Sequence, residues 1–416
     1  MITALLAFAV CPFGGETPAP APLDLVVHEW GTFTSMQGSD GVTLEGLHHE
    51  EAELPRFVYQ LDDAGGLGLE MGRTKGIARR VRGVTVKMET PVTYFYSPRA
   101  LALHAQVELK HGLLSQWYPF AHATEDADKS DVLDFTRVRS GALAWDIELL
   151  APKLGFDDVP MVDAGDPWAC ARIPRSNCVR VEVAAVGDAP ARSETEQFLF
   201  YRGLARFDLP IRATVSAGAK LRIDDTSKVG DALTHLFVLH VRDGHGEYSY
   251  VSRIDPGMSV DVVRTVGADS PSVDAMVASL APELTKALAA SGLFEDEARA
   301  MVETWKTSYF HTPGLRVLYV LPQRFTDELL PLRVHPAPRA QVRVLVGRLE
   351  CVTPEVEDAA EGDLRAFCSD DSETSSRAWE RLQKHARYLE PIVRRVAART
   401  TDADVRARIA MLLEWL

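Results

Sequence analysis

Two groups of nitrogen and oxygen donors are the first residues here that could do chemistry: His28-Glu29, within Val27-His28-Glu29-Trp30-Gly31-Thr32-Phe33-Thr34-Ser35, and His48-His49-Glu50-Glu51 further along. Neutral imidazoles and carboxylates are ligands for zinc-like or iron-like metals, and an open coordination position can activate water. The metal reading takes His28, His48 and His49 as ligands, and a divalent metal is the one cofactor these residues suggest. Strand geometry argues against part of it. Adjacent residues on a strand point to opposite faces, so His28 and Glu29 share a site only at a bulge. The His-His-Glu-Glu run reads equally well as an exposed loop.

Three more segments mix ionisable and aromatic residues: Lys87-Met88-Glu89-Thr90-Pro91-Val92-Thr93-Tyr94-Phe95-Tyr96, Leu114-Ser115-Gln116-Trp117-Tyr118-Pro119, and Glu194 to Gly203. Lys87 and Glu89 fall on one face, and Pro91 demands a sheet edge or a bulge. His28, Glu29, Lys87, Glu89, Glu196 and Arg202 make a candidate acid–base set if they converge on one cleft. A carboxylate pair such as Glu29 and Glu89 is the arrangement that glycoside hydrolysis needs. Trp30, Tyr94, Tyr96, Trp117 and Tyr118 make a candidate ligand surface, since aromatic faces stack on sugar rings and on peptides. The competing reading puts these rings in the core, because Tyr94 and Tyr96 alternate onto the face of Val92 and Met88.

The usual catalytic signatures are absent. There is no Gly-x-Ser-x-Gly and no Walker loop, and His28-Glu29 is followed by Trp30-Gly31-Thr32, which is no zinc-protease motif. Asp126-Ala127-Asp128-Lys129-Ser130 begins like a calcium loop, but Asp131 stands where the turn glycine belongs and Arg137 where the bidentate glutamate belongs. With no complete catalytic constellation, the expected function is a binding or assembly module of the cell envelope that meets a glycan or a protein. A metal-assisted or acid–base hydrolytic enzyme is the alternative.

The elements that must position these residues are mainly strands. From Leu25 to about Val263, short alternating or wholly apolar runs are separated by Gly, Pro and Asp. Leu143, Trp145, Ile147 and Leu149 alternate with polar neighbours, as do Ala105, Val107 and Leu109, while Leu236-Phe237-Val238-Leu239 reads as a strand covered on both sides. Many strands without intervening helices predict an α+β protein with a large antiparallel, sandwich-like body. Helices are inserted at about 271–310, with Pro282 restarting the first and Glu295, Asp296 and Glu297 opening the second. The domain reading is a leader at 1–23, a β-rich body at 24–350, an acidic connector at 351–374, and C-terminal helices at 375–416, the last forming a hairpin or a single HEAT-like unit.

Lys and Arg number 45 against 59 Asp and Glu, a net charge of −14, and no basic stripe interrupts it, so nucleic acid is excluded as a partner. The run Met1 to Val10 is too short to span a bilayer and reads as a secretory signal core, followed by the Pro-rich stretch to Pro22. Membrane attachment would require lipidation at Cys11, and Phe8 and Val10 suit that signal poorly. Cys170 with Cys178 and Cys351 with Cys368 form two local pairs that an oxidising, periplasmic or extracellular setting would close as disulfides. The alternative is four reduced thiols.

The phrases His28 to Ser35, Lys87 to Tyr96, Phe198-Leu199-Phe200-Tyr201-Arg202-Gly203 and Glu297-Ala298-Arg299-Ala300-Met301-Val302-Glu303-Thr304-Trp305 together resemble a group of exported bacterial proteins with no established activity. The resemblance covers most of the chain beyond residue 24. It implies that the β body and its helices form one unit.

Overall fold

A computed structural model describes residues 23–49, 53–61, 67–68, 80–125, 132–138, 140–185, 190–228, 230–263, 265–306 and 308–414. The leader with Cys11, the calcium-like run Asp126–Asp131, and Glu50 with Glu51 lie outside them. The chain is α+β, as its patterning predicts. In chain order the first strands are β1 (Leu23–Gln37), β2 (Tyr59–Leu61), β3 (Leu67–Gly68), β4 (Arg80–Arg82), β5 (Val86–Tyr96), β6 (Leu101–Lys110), β7 (Gly112–Tyr118), β8 (His122–Glu125), β9 (Val132–Asp134) and β10 (Ser140–Leu149). A short helix α1 (Pro167–Ala171) precedes β11 (Val179–Val183), β12 (Arg192–Glu196), β13 (Leu199–Ala205), β14 (Ile211–Ser216), β15 (Lys220–Asp225), β16 (Leu233–Arg242), β17 (His245–Ile254) and β18 (Ser259–Val263). Then come α2 (Val273–Ala290), α3 (Glu295–Trp305), β19 (Gly314–Val320), α4 (Gln323–Leu329), β20 (Leu332–His335), β21 (Pro338–Cys351), α5 (Pro354–Phe367), α6 (Ser372–Leu382), α7 (Leu389–Arg399) and α8 (Ala403–Leu412).

Among the described residues the main sheet has ten strands in the order β17-β16-β19-β21-β1-β5-β13-β7-β2-β3. β1 lies near its centre, parallel to β21 and antiparallel to β5. From Val27 onward it is buried on both faces, and so it reads as a run without clean alternation. Its register with β5 shifts between Trp30 and Thr32, the bulge that Pro91 requires. A Cβ on Gly31 would stand 2.8 Å from the Pro91 Cα, so only glycine admits this close approach.

A second sheet, β12-β11-β10-β6-β20 with β8 against β10, packs on the first. Trp145 of β10 faces Tyr201 of β13 at 6.2 Å between ring centroids, and its indole donates to the Pro119 carbonyl at 3.1 Å. One apolar core runs through both sheets and takes in α2 and α3. α2 passes through Pro282 without restarting, capped by Ser272, whose Oγ accepts from the Ala275 amide.

Two sequence expectations are corrected at the C-terminal end. The acidic stretch read as a connector folds as α5: Thr353 caps it, Pro354 starts it, and Glu355 and Glu357 sit in the first turn, where the helix dipole favours them. The helical region therefore begins at Pro354 and holds four helices rather than a hairpin. α5 to α8 build a second core from Ala360, Leu364, Leu382, Ile392, Val393, Val396 and Ile409, into which the body inserts Met36, Leu44 and Val352.

The four described cysteines, Cys170, Cys178, Cys351 and Cys368, are free thiols, so neither expected disulfide forms. Cys351 and Cys368 flank the fourteen-residue α5, which at 1.5 Å per residue spans about 21 Å, against the 7 Å or less that a disulfide needs between Cα atoms. Cys170 sits in α1 under the influence of Glu303 and Lys306, whereas Cys178 lies near Glu196 and Asp158, and burial pushes its thiol up to about 12.

The main sheet is packed tightly enough to test with one methyl group. A Cβ on Gly347 of β21 would fall inside the buried Tyr319 ring, 2.1 Å from its Cζ. Gly347→Ala is expected to destabilise the protein by about 1–3 kcal/mol in chemical denaturation; unchanged stability would mean that the ring does not fill that space.

Candidate functional site

β1 sorts the first candidate residues onto opposite faces, as strand alternation predicts. On one face the His28 Nδ1 lies 2.7 Å from the Glu297 carboxylate. Glu297 occupies the first turn of α3, is fully buried, and also accepts from the Tyr96 hydroxyl at 2.6 Å and the Phe294 amide at 2.8 Å. Phe294 covers the imidazole at 4.3 Å between centroids. On the other face Glu29 is held by Arg343, whose Nε donates at 2.7 Å, and by the Tyr201 and Thr93 hydroxyls. Arg343 stands directly opposite Glu29 on β21 and reaches Asp327 of α4 at 2.9 Å.

Glu89 belongs to a third centre. It accepts from Thr34 at 2.8 Å, Tyr309 at 2.7 Å and Arg387 at 2.8 Å. Arg348 lies over the Tyr309 ring at 3.9 Å and donates to Glu350 at 2.7 Å, while Arg316 donates to Glu350 at 3.3 Å. The Tyr388 hydroxyl is shared by Arg348, Arg387 and Glu350. Burial alone would raise both carboxyl pKa values, but the surrounding cations outweigh it. Glu350 is held down at about 2, by Arg316 and Arg348 foremost, and Glu89 is held well below the carboxylate range, by Arg387 foremost.

The fourth centre joins the loop after β1 to α7. Glu390, buried in the first turn of α7, directs one oxygen toward the Nε2 atoms of His49 at 3.0 Å and His48 at 3.7 Å. Its other oxygen accepts from Arg394 at 2.7 Å. The two imidazoles stack at 4.3 Å, and the Lys87 ammonium donates to the His49 carbonyl at 2.7 Å. Burial pushes His48 down to about 4 against the pull of Glu390, which leaves a neutral imidazole at pH 7. Glu390 itself lies below the usual range, since His49, His48 and Arg394 outweigh its burial.

Glu196 is tied elsewhere, by Arg172 at 2.6 and 3.0 Å and by the Trp168 indole at 2.9 Å. Arg202 lies 5.7 Å from the Phe200 ring. The expected acid–base set is thus divided: His28, Glu29, Glu89 and Glu196 are each held by different partners, Lys87 lies between Glu89 and the histidine pair, and Arg202 lies against Phe200. His28 is also no co-ligand of the histidine pair: among the described residues, the group of donors spaced for a metal is His48, His49 and Glu390. The aromatic surface is overturned as well. Trp30, Tyr94, Trp117 and Tyr118 are buried, and Tyr96 is half-buried with its hydroxyl on Glu297. These rings line the core because each faces other rings: Trp30 meets Tyr94, Trp117 stacks on Tyr59, and Tyr118 packs on Phe57.

Sequence reading did not find Glu297, Arg343, Arg348, Glu350, Arg387 or Glu390. Arg343 and Arg348 left a trace as lone cations within the apolar run of β21. The others lie on helices or at strand ends, where a charge reads as solvated surface.

Among the described residues, one surface feature with room for a ligand is a groove of about 910 Å³ between α2 and α3, and a smaller one of about 480 Å³ lies beside Phe207 and Phe325. Val277, Ala281, Ala289 and Val302 make the larger groove's apolar floor, and charges of both signs, among them Lys286 and Arg299, make its rim. At one end His311 meets Asp274 at 3.0 Å, and that bond raises the imidazole pKa.

The Glu350 centre has a definite pH signature. Its folded pKa lies below its unfolded value of 4.5, so the stability it contributes is present above about pH 5 and is lost as pH falls toward 2. The loss is expected to be on the order of 3 kcal/mol. Glu350→Gln should cost about 3–5 kcal/mol at pH 7, because Arg316 and Arg348 lose their counter-charge, and should flatten the acid limb of the stability curve. An acid limb identical in the variant would rule Glu350 out as its source.

No family model matches the chain, and no curated protein matches it. Solved structures align at low similarity. The mu homology domain of Fcho1 from Danio rerio, with a bound Eps15 peptide, is 7% identical at a TM-score of 0.30, covering 79% of this chain and 97% of that one. The yeast delta-COP-I mu-homology domain is 9% identical at 0.26, covering 80% and 97%. The same domain complexed with a Dsl1 WxWxV peptide is 8% identical at 0.24, covering 80% and 98%. At these TM-scores the alignments carry no argument about what this chain does.

Proposed function

We propose that this protein is a binding or assembly module that takes a segment of a partner protein into the groove between α2 and α3. The groove carries the reading. It is open, its floor is apolar, and its rim bears both signs of charge, which suits a peptide or helix that presents apolar anchors among polar residues. The division of the candidate acid–base residues among different partners favours binding over hydrolysis by that set. We further infer that the module acts outside the cytoplasm, in the cell envelope. The apolar run Met1 to Val10 and the Pro-rich stretch after it support this, whereas the free thiols lend it nothing.

Peptide display against the immobilised full chain tests the reading. Selected peptides should share apolar anchors and should bind Ala281→Glu at least about tenfold more weakly, since a carboxylate in the apolar floor costs about 1–3 kcal/mol. Equal binding by wild type and by a folded Ala281→Glu variant would place recognition elsewhere.

A further inference from the structure

We propose that His48, His49 and Glu390 bind one divalent metal ion of the zinc type, and that this ion fastens the C-terminal helices to the β body. The three donor atoms lie within 4.8 Å of one another. Two ligands bound at 2.0–2.1 Å to a tetrahedral zinc stand about 3.3 Å apart. The two imidazole-to-carboxylate separations, 3.0 and 3.7 Å, bracket that edge.

The surrounding chain is shaped for this convergence. Gly46, two residues before His48, has φ +101°, and a Cβ there would lie 2.9 Å from the Glu390 Cγ and Cδ. The loop can close on the carboxylate only because that position is glycine. Arg394 occupies one Glu390 oxygen and leaves the other to the histidines, so the carboxylate is oriented as a ligand usually is. The His48 Nδ1 is buried without a hydrogen-bond partner. The ring is placed instead through its Nε2, 3.7 Å from the Glu390 carboxylate, and by stacking on His49 at 4.3 Å.

Two imidazoles and one carboxylate select a borderline metal over calcium or magnesium, which prefer all-oxygen shells. Three protein ligands leave a fourth position to water. The histidines come from the loop that follows β1 and the glutamate from α7, so a bound ion would bridge the body and the helical unit. Without metal, His49 and Glu390 keep only an ordinary hydrogen bond of 3.0 Å.

The test uses the full chain without a histidine tag, stripped with chelator and titrated with Zn²⁺ by calorimetry and with Co²⁺ by visible absorption. One equivalent of each should bind, Co²⁺ should give the strong visible bands of a tetrahedral site, and Zn²⁺ should raise Tm. Millimolar Mg²⁺ or Ca²⁺ should not compete. His49→Gln, at the more exposed ligand, should keep the far-UV spectrum yet lower Zn²⁺ affinity by at least about tenfold and abolish the rise in Tm. Glu390→Gln should do the same if it folds. Substoichiometric binding, wild-type affinity in His49→Gln, or displacement by Mg²⁺ would each overturn the proposal.

Discussion

A charge buried without a counter-charge costs several kcal/mol, and this protein buries many. Glu29, Glu89, Glu297, Glu350, Glu357 and Glu390 are all inside, and each is met by groups far away in sequence or across a strand pair. Glu29 meets Arg343, 314 positions on; Glu89 meets Arg387, 298 on; His28 meets Glu297, 269 on. None of these charges can be buried until the remote segment has arrived. Burial of the central strand is thereby coupled to docking of α3, to pairing of β21 and to closure of the C-terminal helices. Such pairs gain little against apolar residues of equal size, but losing one partner is costly, so they act mainly against wrong arrangements. A slip of one residue between β1 and β21 would turn Arg343 away from Glu29 and leave both without their partner.

The same constraint separates scaffold from function. Residues that look catalytic when strung along a strand, such as Glu29, Glu89 and Glu196, are ion-paired and hydrogen-bonded inside the scaffold. Accessible chemistry is left at the edges of the packed units. The His48 and His49 side chains remain 18% and 36% exposed at the seam with α7, and the α2–α3 groove opens on the outer face of the inserted helices. Charge density inside the body thus reports how the fold is held, while the exposed donors and the groove lie at its margins.

Much of the architecture was legible because it depends on local pattern. The alternation of Leu143, Trp145, Ile147 and Leu149 gave β10, the apolar run at Leu236 gave β16, and Pro91 foretold a bulge that the structure places at Gly31. The opposite facing of His28 and Glu29 follows from strand period alone. What stayed hidden depends on distant partners. Nothing local marks β1 and β21 as parallel neighbours, and nothing near His48 points to Glu390. The α5 misreading has another cause: its acidic composition outweighed the stripe Val356, Ala360, Leu364 and Phe367, although Glu357 is buried because Arg395 and Arg399 come from α7 to meet it.

That glutamate shows why the C-terminal helices sit in one orientation. Their apolar joint with the body, through Met36, Leu44 and Val352, is greasy and non-directional, and contacts of that kind tolerate rotation. The polar joints do not. Glu357 accepts from the Ser39 amide at 3.0 Å and hydroxyl at 2.9 Å while paired to Arg395, which also reaches Asp40 at 2.7 Å. Arg387 reaches Glu89 from the turn before α7, and Glu390 meets the histidine pair from its first turn. Three directional attachments at separate points fix a rigid body in place. The geometry at Glu390 is therefore set by the docking of the whole unit, and that docking is what brings one carboxylate to two imidazoles.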